Sequence, residues 1–183
     1  MDGRDRVAEL AELLRERASI EARIAELIGR PALPGHIGEF IAAAIFDIAL
    51  NESASATATD GTFTRGHLAG KTVNVKLYGK NEGLLDLPRD GAPVADYTLV
   101  LVGPRSAAGT SRGTTRPIAI SAAYLFPNHE LLASLRLRGV KIGVATSVVR
   151  NLWDAAEIYP RSGPRLELDD GQRQLLALFA ATR

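Results

Sequence analysis

Two acids, an amide and a lysine in the first half of the chain have types and spacing that could form one chemical site. Glu39 lies in an apolar segment, Asp60 follows an alternating stretch, and Asn74 and Lys76 lie two residues apart in the segment KTVNVKLY. A lysine in a segment built for burial must be solvated or paired with a carboxylate. Carboxylate and amide oxygens suit a hard divalent cation such as Mg²⁺, and an ammonium group can stabilise negative charge on a reacting phosphate.

Each of these residues also has a purely structural interpretation, which the sequence leaves open. Glu39 falls in the first turn of a predicted helix, where a carboxylate interacts favourably with the helix dipole. Asp60 and the glycine after it are typical of a hairpin turn. Lys76 is typical of an edge strand that a charge protects from aggregation. Glu82 and Asp86, in the loop after the lysine, could add an acid to the site, and a solvated loop is the simpler interpretation.

Periodicity predicts the elements that must position these residues. Residues 4–28 carry apolar side chains at helical spacing among charges, and Gly29 ends the pattern. Residues 37–50 are apolar on nearly every side, which predicts a second, buried helix. Residues 53–59 alternate small apolar and polar side chains, which predicts a strand that ends in a hairpin turn at Asp60.

A mixed pattern of strands and helices continues to the end of the chain. The predicted strands are residues 71–78, 97–102, 118–126 and 140–145. The predicted helices are residues 128–138, a helix capped by Ser147 that runs to about Glu157, and a last helix capped by Asp169 or Asp170 that runs to Ala180. This order predicts an α/β fold with a mixed central sheet. We expect an N-terminal amphipathic helix at residues 1–33 and a single domain at residues 34–183.

The composition limits the class of protein. The chain has 183 residues and no cysteine, which excludes a disulfide framework, thiol catalysis and a zinc–thiolate cluster. The first thirty residues lack the apolar core of a signal peptide, and no stretch approaches eighteen uninterrupted apolar residues. We therefore expect a cytoplasmic protein that does not bind a membrane.

A net charge of +1 conceals a basic segment. Residues 97–153 contain seven basic residues and one acid, whereas the rest of the chain has a net charge of −5. Arg105, Arg112 and Arg116 lie in a stretch rich in Gly, Ser and Thr, and Lys80 follows the lysine-bearing strand. Basic side chains in an acid-free loop predict contacts with nucleic-acid phosphates, and a solvated run of charges is the alternative.

The order of the charged residues resembles that of a known superfamily. Gly38-Glu39, Asp60-Gly61 and Asn74-Val75-Lys76 resemble the glutamate, aspartate and (E/Q/D)-x-K series of the PD-(D/E)XK, restriction-endonuclease-like nucleases. More narrowly, the segments LPGHIGEF, TDGTF, LAGKTVNVKLYGKNEGLLDL and ADYTLVLVGP resemble an uncharacterised bacterial domain family within that superfamily. The resemblance covers about residues 34–103, and the elements up to about residue 146 fit the αβββαβ core of the superfamily.

The resemblance implies a role for each residue. Asp60 is the expected metal ligand, Lys76 the expected catalytic lysine, and Glu39 an acid that binds the metal or orients the lysine. Asn74 departs from the pattern, which has an acid or glutamine at this position. The amide oxygen of Asn74 can bind Mg²⁺ or Mn²⁺ but brings no charge.

These roles imply a metal-dependent phosphodiesterase whose partner is nucleic acid, in the first place DNA. The alternative is a nuclease-like fold that has lost catalysis and serves as a nucleic-acid or protein interaction module. Nucleases of this kind that cut duplex DNA commonly act as dimers, so the helix at residues 4–28 is a candidate for pairing with a second copy of the chain.

Overall fold

The computed structural model describes residues 2–52, 59–105 and 118–181, and within them five α-helices and eight strands are formed. The helices are α1 (Gly3–Ile28), α2 (Pro34–Phe46), α3 (Asn128–Leu137), α4 (Arg150–Ala156) and α5 (Asp170–Ala177). The strands are β1 (Ile48–Leu50), β2 (Gly61–Phe63), β3 (Thr72–Tyr78), β4 (Leu84–Leu85), β5 (Tyr97–Val102), β6 (Ala122–Pro127), β7 (Thr146–Ser147) and β8 (Glu157–Tyr159).

Six of these strands form one mixed sheet in the order β1-β2-β3-β5-β6-β8. The central pair, β3 and β5, is parallel, with Lys76 opposite Val100 and Tyr78 opposite Val102. The other neighbouring strands in the sheet are antiparallel, and β4 and β7 form a separate antiparallel pair. The predicted α/β fold with a mixed sheet and a long N-terminal helix is confirmed.

A hydrophobic core lies on each face of this sheet. On one face Val73 and Val75 of β3 pack with side chains of α2 and α5. On the other face Tyr78 packs with side chains of α3 and α4. Because side chains alternate along a strand, Asn74 and Lys76 lie on the same face of β3 as Tyr78.

The elements with the clearest periodicity are confirmed. α1, β3, β5 and α3 begin and end within one residue of the predicted bounds. Asp169 caps α5, and its carboxylate accepts a hydrogen bond from the Gln172 N–H at 2.8 Å. α5 ends at Ala177, three residues before the predicted end. No helix in the described parts of the chain is long and apolar enough to cross a membrane.

The second helix ends earlier than the apolar pattern predicts. α2 ends at Phe46, because Asp47 adopts a left-handed conformation (φ 53°) and its N–H donates to the Ala43 carbonyl. Ile48–Leu50 then forms β1 and pairs with β2. An unbroken apolar run does not distinguish a buried helix from a buried strand, so the prediction of one helix over residues 37–50 is wrong at its end.

The predicted hairpin turn at Asp60 is also wrong. Asn51 donates its N–H to the Asp60 carbonyl at 2.9 Å, and Gly61 is the first residue of β2. The pairing of β1 with β2 therefore extends to Asp60 instead of reversing there. Most of the strand predicted at residues 53–59 lies outside the described residues.

Residues 140–145 form a loop instead of the predicted strand, and only Thr146–Ser147 forms a short strand after them. Ile142 is buried and Val144 is 86% exposed, so the apolar run does not lie in one core. The predicted strand at residues 118–126 is shorter at its start, because β6 begins at Ala122.

The fourth helix and the strand after it differ from the prediction. α4 begins at Arg150, where the capping position is Val149 and not Ser147, and it ends at Ala156. Glu157–Tyr159 forms β8 at the edge of the main sheet. The sequence analysis missed this strand because three residues are too few to show an alternating pattern.

Candidate active site at the open edge of β3

The backbone pairing between β2 and β3 ends at Asp60. Its N–H donates to the Val73 carbonyl at 2.8 Å, and its carboxylate Oδ2 accepts the Val75 N–H at 2.6 Å. The residue pairs of β2 with β3 are Gly61 with Val73 and Thr62 with Thr72. A side chain therefore takes the place of the next backbone partner, and past Val75 no described strand pairs with this edge of β3.

Glu39 reaches this region from α2. Its Oε2 accepts a hydrogen bond from Arg30 Nη1 at 2.8 Å, and Arg30 Nη2 donates to the Asn51 carbonyl at 2.8 Å. The Glu39 side chain is only 15% exposed. Arg30 thus ties the segment between α1 and α2 both to the acid and to the end of β1.

The two acids interact electrostatically. Burial raises the pKa of Glu39, and the negative charge of Asp60 raises this pKa further. Electrostatic interactions with Arg30, His36 and Lys76 lower the pKa of Glu39, but by less in total. The ionised form of Glu39 is therefore disfavoured, and a cation bound between the two carboxylates would relieve their repulsion.

Gly38 allows α2 to approach β3 closely beside the acid. A Cβ atom on Gly38 would lie 2.7 Å from the Cβ of Leu77, which is closer than real Cβ atoms approach. The missing side chain therefore sets how near Glu39 comes to the edge of β3.

The Gly38→Ala variant is expected to be less stable by about 1–2 kcal/mol. Overpacking of this size costs about 1–3 kcal/mol, and the better helix propensity of alanine offsets part of it. Urea unfolding measures the difference. Gly35→Ala on the same helix is the matched control, because a Cβ there meets nothing within 4 Å. Equal stability of the two variants would contradict the close packing of α2 on β3.

Lys76 and Asn74, unlike the two acids, make no side-chain hydrogen bond or ion pair with the described residues of this region. Both are half-buried, and among the described residues Lys76 has no ion pair and Asn74 no side-chain hydrogen bond. Of the two alternatives for this lysine, solvation or pairing with a carboxylate, an ion pair with Asp60 or Glu39 is therefore not formed. The Lys76 charge still acts on Glu39, since it lowers the pKa of that carboxyl. Asn74 lies between the two β3 residues that hydrogen-bond Asp60, so its backbone adjoins the acid.

The oxygen atoms that could bind a hard cation at this edge are few. One oxygen of Asp60 and one of Glu39 have no hydrogen-bond partner among the described residues. No group of three or more Asp, Glu or His side chains that could hold a metal occurs within residues 2–52, 59–105 and 118–181. The remaining residues include no Asp, Glu or His. Mg²⁺ needs only one or two carboxylates when water and a phosphate complete its coordination, so the residues present fit Mg²⁺ in this form.

Arg30 is the residue of this site that the sequence analysis missed. It lies between Gly29 and Pro31, where the only signal is a basic residue next to a turn. Such a residue is usually solvated, and only the fold shows that this one reaches Glu39, nine positions later in the chain.

A cleft of about 400 Å³ lies at the end of β3. Its lining comes from the start of α2, the end of β3 and the loop after it, and includes Pro34, Leu77, Tyr78, Lys80, Glu82 and Asp86. The Tyr78 hydroxyl accepts the Asp86 N–H at 2.9 Å, and burial raises the pKa of Tyr78. Lys80 thus lines a cleft at the end of β3, whose lining includes neither Asp60 nor Glu39.

Arg105 lies at the same end of the sheet as Lys80. Residues Asn81 and Arg105 form a β-bridge, and Arg105 borders a second cleft of about 450 Å³ together with Arg150 and Trp153. Arg112 and Arg116, the other two arginines predicted to bind nucleic acid, lie outside the described residues.

The positive charge of the basic segment is partly neutralised. Asp154 lies within 3.9 Å of Arg105 and 3.6 Å of Arg150, and Asp90 pairs with Arg136 at 2.6 Å. These acids lie outside residues 97–153 in the sequence, so the charge count of that segment overstates its free positive charge.

No protein-family model matches this chain, and no curated protein is similar to it in sequence. The nuclease interpretation therefore rests on the order of the charged residues and on the geometry at the edge of β3.

Proposed function

We propose that this protein is a Mg²⁺-dependent DNA phosphodiesterase of the PD-(D/E)XK type, with its catalytic centre at the open edge of β3. The position of Asp60 carries the proposal. Its carboxylate is fixed by the Val75 N–H at 2.6 Å, one of its oxygens has no described partner, and its charge acts on the neighbouring Glu39. A restriction-endonuclease-like αβββαβ core is the corresponding fold assignment, and α2, the mixed sheet and α3 support it.

Each residue has a separate task in this proposal. Asp60 and Glu39 hold Mg²⁺ or Mn²⁺, with the Asn74 amide as a neutral ligand. The chemistry that this ion supplies when bound is polarisation of the phosphate and activation of water. Lys76 stabilises the negative charge that develops on the phosphate. Arg30 holds the Glu39 carboxylate in place through the 2.8 Å contact.

Lys80 and Arg105 are the proposed contacts with the DNA backbone, with Arg112 and Arg116 in the connection between β5 and β6. Lys80 and Arg105 each line a cleft at this end of the sheet, which supports their assignment. Contacts with phosphates release counterions, so the affinity for DNA should fall steeply as the salt concentration rises.

A plasmid-cleavage assay with Asp60→Asn tests the proposed function. The wild-type protein is expected to cut plasmid DNA with Mg²⁺ or Mn²⁺ and to stop when the metal is chelated. Asp60→Asn is expected to lose at least about 10²-fold in rate, because the amide can still accept the Val75 N–H but removes a charged ligand.

The matched control is Asp96→Asn. Asp96 also accepts a backbone N–H of β3, that of Thr72 at 2.8 Å, but at the other end of the strand. Its variant is expected to cut DNA at the wild-type rate. Cleavage that survives in Asp60→Asn, or a wild-type protein that cuts no DNA with either metal, would overturn the proposal.

A second candidate function is a nuclease-like module that binds nucleic acid without cutting it. Asn74 favours this candidate, because it stands where the superfamily series has an acid or glutamine, and its amide brings no charge to a metal site. Salt-sensitive DNA binding together with no heat of metal binding in isothermal titration calorimetry would select this function over the first.

A further inference from the structure

α1 is a 26-residue helix without a single buried residue. Near its C-terminal end, Ile24, Ala25 and Ile28 are half-buried, and there the helix meets α2. The large apolar side chains along the rest of its length are each more than half exposed; they are Val7, Leu10, Leu13, Leu14, Ile20 and Leu27. The domain to which α1 belongs therefore leaves most of this apolar stripe uncovered.

The stripe has the seven-residue repeat of a coiled coil. Leu10, Arg17 and Ile24 occupy position a of this repeat, and Leu13, Ile20 and Leu27 occupy position d. A repeat of 3.5 residues keeps such side chains in contact with a partner helix along the whole length of both helices. A membrane-surface helix is instead rich in basic residues, whereas α1 contains five arginines and six acids.

We propose that the partner of α1 is α1 of a second copy of the chain, packed in the antiparallel direction. This direction places Leu10 against Leu27 of the partner subunit and Leu13 against Ile24 of the partner subunit. Position g then faces position g, so Glu16 lies opposite Arg23 of the partner subunit, and this ion pair occurs twice by symmetry.

The charges disfavour the parallel direction. A parallel pair would place Glu16, at position g, opposite Glu21 of the partner subunit, at position e, and like charges would repel. Neither Glu16 nor Arg23 has an ion pair among the described residues, so both are free for the partner. Arg17 at the central a position donates its Nε to Glu21 at 2.8 Å, which keeps its charge at the edge of the stripe.

The position of the domain agrees with the antiparallel direction. The domain follows the C-terminal end of α1, and a helix of 26 residues is about 39 Å long at about 1.5 Å per residue. The antiparallel pair therefore separates the two domains, whereas a parallel pair would bring both to the same end. The dimer does not depend on the proposed nuclease activity.

Sedimentation equilibrium of the full chain tests the proposal through a charge exchange. The wild type is expected to form a dimer whose fraction increases with protein concentration. Glu16→Arg and Arg23→Glu are each expected to weaken it about tenfold or more, and the double variant is expected to restore it, because the pair is then only reversed. Glu12→Arg, on the outer face of the helix, is the control and is expected to dimerise like the wild type.

Cysteine cross-linking tests the direction of the helices independently. The chain has no cysteine of its own, so added thiols report only on α1. Leu10→Cys combined with Leu27→Cys is expected to give a disulfide-linked dimer, whereas Leu10→Cys alone is expected to give none.

Three results would overturn the antiparallel dimer. The first is a monomer at every concentration up to about 1 mM, where specific interfaces are still measurable. The second is a dimer that Glu16→Arg leaves unchanged or strengthens. The third is a monomer that binds anionic phospholipid vesicles and loses this binding in Ile20→Asp.

Discussion

In the plasmid-cleavage assay with Mg²⁺, Lys76→Met is expected to cut DNA about 10²–10⁴-fold more slowly than the wild-type protein. Methionine keeps the length and apolar stem of lysine but removes the positive charge. Lys76 is half-buried and has no ion pair among the described residues, so its charge remains for the phosphate of a substrate. Cation binding is expected to persist, because lysine is not a metal ligand.

Lys71→Met provides the matched control for this loss. Lys71 immediately precedes β3, lies 4.0 Å from Asp96, and has a side chain that is 53% exposed. A pair of this kind contributes little to stability, and the variant is expected to cut DNA at the wild-type rate. Equal rates for Lys76→Met and the wild type would show that Lys76 is an edge-strand charge without a catalytic task.

Replacing Asn74 with aspartate is expected to tighten Mg²⁺ binding about tenfold, or ~1.4 kcal/mol, and to raise the cleavage rate. The aspartate would supply a charged ligand, as the acidic members of the (E/Q/D)-x-K series do at this position. Asp60 hydrogen-bonds the residues on both sides of Asn74, at 2.8 and 2.6 Å, so the two carboxylates would also repel each other. The unfolding temperature is therefore expected to fall without metal and to rise more than that of the wild type when Mg²⁺ is added.

Asn151→Asp adds the same charge at an exposed position on α4 and serves as the control. Its unfolding temperature is expected to respond to Mg²⁺ as the wild type does. If Asn74→Asp gains neither metal affinity nor cleavage, the edge of β3 does not bind a cation and the non-catalytic module becomes the better account.

The sequence predicts the parts of the fold that depend on local pattern. β3 alternates strictly between Val73, Val75 and Leu77 on one face and polar side chains on the other, and its bounds are confirmed within one residue. α1 follows from helical spacing and ends at Gly29, where φ is 67°. Both patterns are set by neighbours in the chain, so no tertiary information is needed.

The elements that the sequence analysis misplaces depend on tertiary contacts. α2 and β1 form one apolar run, and the left-handed Asp47 that separates them is not visible in the pattern of side chains. β8 is only three residues long and is a strand because it pairs with β6. Residues 140–145 contain apolar side chains although they do not belong to the sheet, because Ile142 is buried in a core from a loop.

In the candidate site, too, some features follow from local sequence pattern and others depend on tertiary contacts. The order of Glu39, Asp60 and Lys76 in the sequence indicates residues that could meet, and in the structure the charge of Asp60 raises the pKa of Glu39. The structure also places Lys76 on the face of β3 away from the core beneath α2, and it assigns Arg30 to Glu39. The face of Lys76 follows from the alternation of β3, whereas the pairing of Arg30 with Glu39 does not follow from spacing, because it depends on how the chain folds between these two residues.

Calorimetric titration with Mn²⁺ tests the central claim, that the two acids at the edge of β3 form a cation site. The proposal predicts one site per chain in the wild type, in Asp96→Asn and in Lys76→Met, and a loss of binding in Asp60→Asn and Glu39→Gln. A wild-type protein without a heat of binding at millimolar Mn²⁺, or an Asp60→Asn variant that binds as tightly as the wild type, would contradict it.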